Sequence, residues 1–423
     1  MGAAPPLSDV DERTTARRYA EQLLALHGIA DARLDIVDRH PAVIAADCGL
    51  IDLSGAADAA PLLCPAPIAA CADGAMAALI AMAPQGQWRD APSGAQRLTE
   101  RAALLGLQRR GAVSANGSCR LLATADGVIA INLARDDDHA LLPAWLQADH
   151  VIADELPQLV ATRAADDLVE QGRELGLAVA RADRRPPALP WPSPMVPPLR
   201  LAARQAPRVV DLSSLWAGPL CSHLLQRCGA DVIKVESTQR PDGARAGSPA
   251  FFEHLHAGKA SLKLNFRNAE GRAALLALLQ GADIVIEASR PRALRQLGID
   301  ADALIAADPG KTWISITGHG RREPQAQWIA YGDDAAVAAG LSHCLHQATG
   351  QWAFVGDAIA DPLTGLHAAI AAWAGHQRGG GGLIDIAMVD VVRQCLDFGC
   401  GPAMRASAQR LQHWQQVLRE PRA

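Results

Sequence analysis

Seven prolines crowd into the seventeen residues from 184 to 200, RRPPALPWPSPMVPPLR. Proline fixes φ and lacks an amide donor, so neither a continuous helix nor a central strand runs through such a stretch. An extended, semi-rigid connector is predicted, a long surface loop within one domain being the other reading. The connector splits 423 residues into two parts, each of ordinary domain size.

Beyond the connector, short apolar runs alternate with helical patterns. Strands are predicted at residues 208–212, 230–236, 261–265, 283–287 and 312–316, with helices at 220–228 and 268–279, the latter opening on the cap-like Asn268. This order predicts an α/β fold, a doubly wound, mostly parallel Rossmann-like sheet. Ligands of such sheets lie beyond the carboxyl ends of the strands, which directs attention to the turns at 215–218, 236–245, 288–292 and 318–321. Before the connector, a turn at Ala125-Asp126-Gly127 joins two strand-like runs, and helical patterns follow at 138–146 and 164–175. That is a smaller α+β domain. The expected division is residues 1–183, a degenerate large-domain segment plus the small domain; 184–206, the linker; and 207–423, the large domain. A repeat is also visible. Residues 72–81 followed by 94–100 echo residues 360–373 followed by 381–386, setting Asp73 against Asp361.

Composition excludes several functions. Lys+Arg is 40 against Asp+Glu 45, and aromatic residues are 4%, so there is neither the basic face nor the stacking surface of a nucleic-acid binder. No run of eighteen apolar residues is present, and the first twenty residues lack an apolar signal core, which predicts a cytoplasmic protein without membrane contact. Nine cysteines are scattered without a CxxC pair, so no structural metal is expected. The glycine run at 379–382 precedes a strand rather than opening a helix, the reverse of a dinucleotide or phosphate loop, and reads as a turn.

In Gly356-Asp357-Ala358-Ile359-Ala360-Asp361-Pro362, a carboxylate stands where an apolar run becomes an Ala-rich helix. Helix capping and catalysis both place aspartate there.

Several segments, in order, resemble the class III CoA transferases (formyl-CoA transferase-like, CaiB/BaiF). They are Val210-Asp211-Leu212, Ala217-Gly218-Pro219, residues 229–236, Gly258-Lys259-Ala260-Ser261-Leu262, Glu270-Gly271-Arg272, residues 282–287 with Arg290-Pro291, residues 315–320, and residues 385–390. The resemblance runs from Arg208 to about Cys400. It implies that Asp361, with Gly365 four residues on, is the covalent nucleophile of a CoA transferase acting on an acyl-CoA and a carboxylic acid. Coenzyme A enters as the acyl-CoA substrate. Its path would be lined by Leu215, Trp216, Ala217, Leu264, Arg267, Ala288, Ser289 and Met388, with Arg245 and Arg295 and the further arginines Arg240, Arg290 and Arg292 as candidates for its phosphates. Where the family has an arginine, this chain has Gln296. Family racemases carry a His-Asp pair where this chain reads Tyr331-Gly332-Asp333-Asp334, with His319 and His343 out of place, so a racemase or isomerase is the second implication. A non-catalytic CoA-binding subunit is the third. The first half resembles family segments that normally come later, residues 125–130 and 175–180 among them, so the order is permuted. Asp73 would then be a relic or a cap. The family's interlocked homodimer is carried over as an expectation.

Overall fold

The computed structural model describes residues 12–29, 32–187, 205–398 and 408–420. Most of the proline stretch, residues 188–200, lies outside them, as does Cys400. A small antiparallel sheet comes first, in the order β1 (Cys119–Ala123), β2 (Val128–Asn132), β3 (Ala178–Arg181). The β1–β2 turn closes through Thr124 N–H to Gly127 O, 2.9 Å, at the expected Asp-Gly. Helices Asp136–Leu146 and Ala165–Leu175 cover one face of this sheet around the buried Trp145.

The large sheet has six strands: β4 (Arg208–Asp211), β5 (Asp231–Ser237), β6 (Ala260–Leu264), β7 (Ile284–Glu287), β8 (Thr312–Thr317) and β9 (Gly382–Ala387). All are parallel, in the order β6-β5-β4-β7-β8-β9. The chain winds outward from β4 on one side and returns through β7 on the other. The carboxyl ends of β4 and β7 therefore form the switch point where such sheets bind ligands. Gly379, Gly380 and Gly382 all adopt positive φ in the turn that enters β9, and a side chain on Gly380 would meet Pro309 O at 2.1 Å.

Six helices position the site: α1 (Thr15–Leu26), α2 (Ile68–Met82), α3 (Glu100–Leu105), α4 (Ala217–Arg227), α5 (Gly332–Ala338) and α6 (Ala360–Gln377). Every residue of α6 except Asp361 and Gln377 is buried. A helix apolar on all sides belongs inside a core, and α6 packs on α4, α2 and β8. Ala and Gly make these approaches close: a side chain on Gly365 would meet Ala217 O at 2.8 Å and Leu220 Cβ at 3.0 Å. One apolar core accordingly contains residues from α1 and α2 together with β4, α4 and α6, on both sides of the connector. The other face of the small sheet is likewise closed by Val337 and Phe354, again from beyond the connector.

The repeat is present in space, in a register three residues away from the one that pairs Asp73 with Asp361. Gly74 of α2 presses on Ala16 and Tyr19 of α1 as Gly365 presses on Ala217 and Leu220. The partner helices also end alike. Gly28 (φ +75°) is followed by Ile29 N–H to Leu24 O, 2.9 Å; Gly229 (φ +104°) is followed by Ala230 N–H to Leu225 O, 3.1 Å. With Gly74 matched to Gly365, the place of Asp361 falls to Ala70. Asp73 instead accepts the Ala95 amide at 2.7 Å, in the first turn of the next short helix, whose cap is Ser93.

Candidate active site

At the end of β4 the buried Asp211 carboxylate accepts from the Ser213 amide (2.9 Å) and hydroxyl and from the Ser222 hydroxyl. Lys259 Nζ lies 3.6 Å from it, and the buried Lys234 bonds Ser213 O and Asp242 (3.1 Å). Attraction from Lys234 and Lys259 overcomes burial and holds Asp211 far below the ordinary carboxylate range. Asp211 and Lys234 of the opening strands thus hold the turn after β4. That turn carries Leu215, in left-handed conformation (φ +70°) and 42% exposed, its amide bonded to Asp242 at 3.0 Å. Trp216 follows, buried and edge-on to Phe251 at 5.1 Å, and then Ala217, the first residue of α4.

Asp361 stands opposite this turn. It is the second residue of α6, not its cap, which is Ile359. Its carboxylate faces the start of α4, where the Ala217 amide favours its charged form, and lies against Gly332, where a side chain would meet Oδ2 at 2.1 Å. The residue as a whole is half-buried. Burial pushes its carboxyl up to about 7; Arg101 opposes this, and Asp333 and Asp357 reinforce it.

Asp357 and Asp333 act on it, and Asp334 follows Asp333 on α5. Asp357 is bound bidentately by Arg101 (2.6 and 2.7 Å), whose guanidinium lies over the Trp216 ring at 4.8 Å. Asp333 accepts from Ala358 N–H (2.9 Å) and Asn116 Nδ2 (3.1 Å), and burial, then Asp357, raises its carboxyl to about 6. Asp334 accepts from Asn132 Nδ2 (2.9 Å) and Tyr331 N–H (3.0 Å), and burial raises it to about 7. At neutral pH the site therefore holds protons as well as negative charge. Ala358, between these groups, is itself left-handed (φ +45°), the sort of backbone found where a site fixes its geometry.

The other expected residues separate into two sets. Met388 is buried at the start of the helix after β9; Leu264 closes the edge strand β6, and Ala288 follows β7, which borders the switch point. Ser289 turns back to Glu287, its hydroxyl donating at 2.7 Å. Arg245 pairs with Glu236 (2.6 Å) and stacks on Phe252 at 4.0 Å, which ties it to the loop after β5. Arg267 and Arg295 are exposed. Arg240, Arg290 and Arg292 do gather: their mutual repulsion, with Arg135 of the small domain, lowers Arg290 below its ordinary value after burial. Arg135, Arg240 and Asp334 all act on Tyr331, so this basic group borders the residue before Gly332. Arg101, Arg135, Asn116, Asn132 and the acids Asp333 and Asp334 are the parts that the sequence pattern does not single out as site residues. Only the placement of the first half against the second assembles them.

Comparison with known proteins agrees on the second half. Residues 206–416 match CoA-transferase family III. An "Acyl-CoA transferase" of Fusarium pseudograminearum is 33% identical over 180 residues, covering 38% of this chain and 40% of that protein. A "Succinate--glutarate CoA-transferase" of Agrobacterium fabrum is 33% identical over 201 residues, 44% and 50% of the two chains. A solved CAIB/BAIF family protein from Brucella suis is 29% identical, with TM-score 0.42 over 52% of this chain and 60% of that one. The chain spans about half the length of the curated relatives it matches.

Proposed function

Because this chain belongs to CoA-transferase family III through residues 206–416, we propose that it moves CoA from an acyl-CoA to a free carboxylic acid through a covalent intermediate on Asp361. The observation that carries this reading is the placement of Asp361. It sits in the first turn of a buried helix, beside the switch point of the sheet, half-buried and with no side chain at position 332 to cover it. In the first step the Asp361 carboxylate attacks the thioester carbonyl, forming a mixed anhydride and releasing CoA thiolate. The thiolate attacks the Asp361 carbonyl, giving an aspartyl-CoA thioester and the donor's free acid. The acceptor carboxylate then attacks that thioester, again forming an anhydride and thiolate, and thiolate attack on the acceptor carbonyl yields the new acyl-CoA and the original carboxylate. Each step exchanges one activated acyl bond for another, the benefit of nucleophilic catalysis. The enclosing apolar residues of α4 and α6 keep water from the anhydride.

A nucleophile must be ionised, so the first step is expected to quicken as pH rises through about 7. Amides at the start of α4 and α6 stand near the reacting carbonyl and suit an oxyanion. The Arg240, Arg290 and Arg292 group suits the CoA phosphates. A homodimer and a cytoplasmic location belong to the same proposal. No described helix is long and apolar enough to cross a membrane.

The test is incubation with acyl-CoA donors and trapping by hydroxylamine or borohydride. Wild type is expected to yield a modified Asp361, and Asp361→Ala to lose transfer by at least about a thousandfold. Full activity in Asp361→Ala overturns the assignment. Deuterium uptake at the acyl α-carbon without an acceptor points instead to a racemase or isomerase, and binding without any adduct to a CoA-binding subunit.

A further inference from the structure

We propose that Arg101, carried by α3 in the first half of the chain, is a positioning residue of the Asp361 site. It fastens together the two loops that hold that carboxylate. The inference rests on the transfer reading above and concerns a residue outside the matched family segment.

The guanidinium is gripped on two sides. Its Nε and Nη2 meet both oxygens of Asp357 at 2.7 and 2.6 Å, a fork-to-fork pair whose planarity only arginine supplies. Its face lies 4.8 Å from the Trp216 ring, within the range of a cation–π contact. Asp357 is four residues ahead of Asp361 on the loop that enters α6. Trp216 immediately precedes Ala217, whose amide favours the charged form of the Asp361 carboxylate. One side chain from α3 therefore connects the entrance of α6 to the entrance of α4. Asp361 stands between them.

The same cation balances the charges around Asp361. From the α5 side Asp333 faces it, from the loop before α6 Asp357, from α4 the Ala217 amide, and from α3 Arg101. Asp334, next along α5, is turned toward Asn132 of β2. Among these groups Arg101 is the cation, and it counters the burial and the neighbouring carboxylates that favour the protonated acid. Ionisation of the nucleophile is thereby tied to the docking of the first half of the chain. A residue that only filled space at α3 would leave that ionisation untouched.

The experiment follows aspartate carboxyl carbons by NMR in uniformly carbon-13-aspartate-labelled full chain, with Asp361→Asn identifying the Asp361 signal. Wild type, Arg101→Met and Arg101→Lys are titrated, and acyl-enzyme formation is measured in single turnovers across the same pH range. In Arg101→Met the Asp361 midpoint is expected to move upward by at least about one pH unit. Adduct formation at pH 7 should fall roughly tenfold and recover at higher pH, with KM for the acyl-CoA changed less than about twofold. Arg101→Lys keeps the charge and loses the fork, and should restore most of the midpoint while recovering only part of the rate. An Asp361 midpoint unchanged in Arg101→Met overturns the proposal. So does a rate loss confined to KM or independent of pH. Should Arg101→Met fail to fold by near-ultraviolet circular dichroism, a wild-type midpoint and rate in Arg101→Lys, with its fork lost, overturns the clamp. If wild type transfers CoA to no acceptor, the transfer reading fails, and the carboxyl titration still decides the role of Arg101.

Discussion

Gly332 is the tightest point of the site. A Cβ there would lie 2.1 Å from Asp361 Oδ2, 2.4 Å from Ala358 O and 2.7 Å from Ala358 Cβ, so backbone as well as side chain would have to move. Gly332→Ala is expected to destabilise the fold by about 1–3 kcal/mol and to cut transfer at least about tenfold by displacing Asp361; thermal unfolding beside an initial-rate assay reads both. At Gly365 the nearest atoms are 2.8–3.0 Å away, so the corresponding change should be milder. The position of Asp361 at a helix start was legible, because an aspartate ahead of an Ala-rich helix with glycine four residues on is a local pattern. Its alternative reading as a cap was local too, and position excludes it, since Ile359 occupies that place. Arg101 was not legible: it meets Asp357 across 256 residues, and no periodicity encodes such a contact.

At the scale of elements, α5 meets the segment before β1 and strand β2 through two acid–amide bonds, Asp333 with Asn116 and Asp334 with Asn132. Asp333, Asp334 and Asp361 are raised to about 6, 7 and 7, above the ordinary aspartate value near 4. In that window the folded chain keeps protons that the unfolded chain releases. The stability these groups favour is thus complete below about pH 4 and lost as pH rises through 6 and 7. Glu12 and Glu236, lowered to about 2, act the other way: the stability they contribute is lost as pH falls from about 4.5 toward 2. The unfolding free energy from urea titration should accordingly be higher at pH 5 than at pH 8, by on the order of 1–3 kcal/mol, with a higher midpoint, and Asp334→Asn should reduce that difference. Equal midpoints at the two pH values would contradict the buried-acid account. Strands β4 to β8 were legible as short apolar runs bounded by turn residues, and Asn268 does cap its helix by accepting Gly271 N–H at 2.8 Å. The acid pair was not, because Asp333 and Asp334 at a helix start resemble ordinary solvated acids until β2 and the segment before β1 cover them.

At the scale of the molecule, the α1–α2 pair repeats the α4–α6 pair without a counterpart of Asp361. Ala-rich helices look alike at several offsets, so the sequence suggested the repeat while misplacing its register; the close contacts of Gly74 and Gly365 set it. The apolar core that joins α1 and α2 to β4, α4 and α6 has a mechanical consequence. A peptide bond cut inside the proline connector severs the covalent link and leaves that core intact. Two polypeptides, residues 1–195 and 196–423, should each lack a cooperative unfolding transition when made alone. Produced together they should co-purify as a one-to-one complementing pair that melts in a single step, measured by calorimetry. Two halves that fold and melt independently would mean that the core divides where the prolines do.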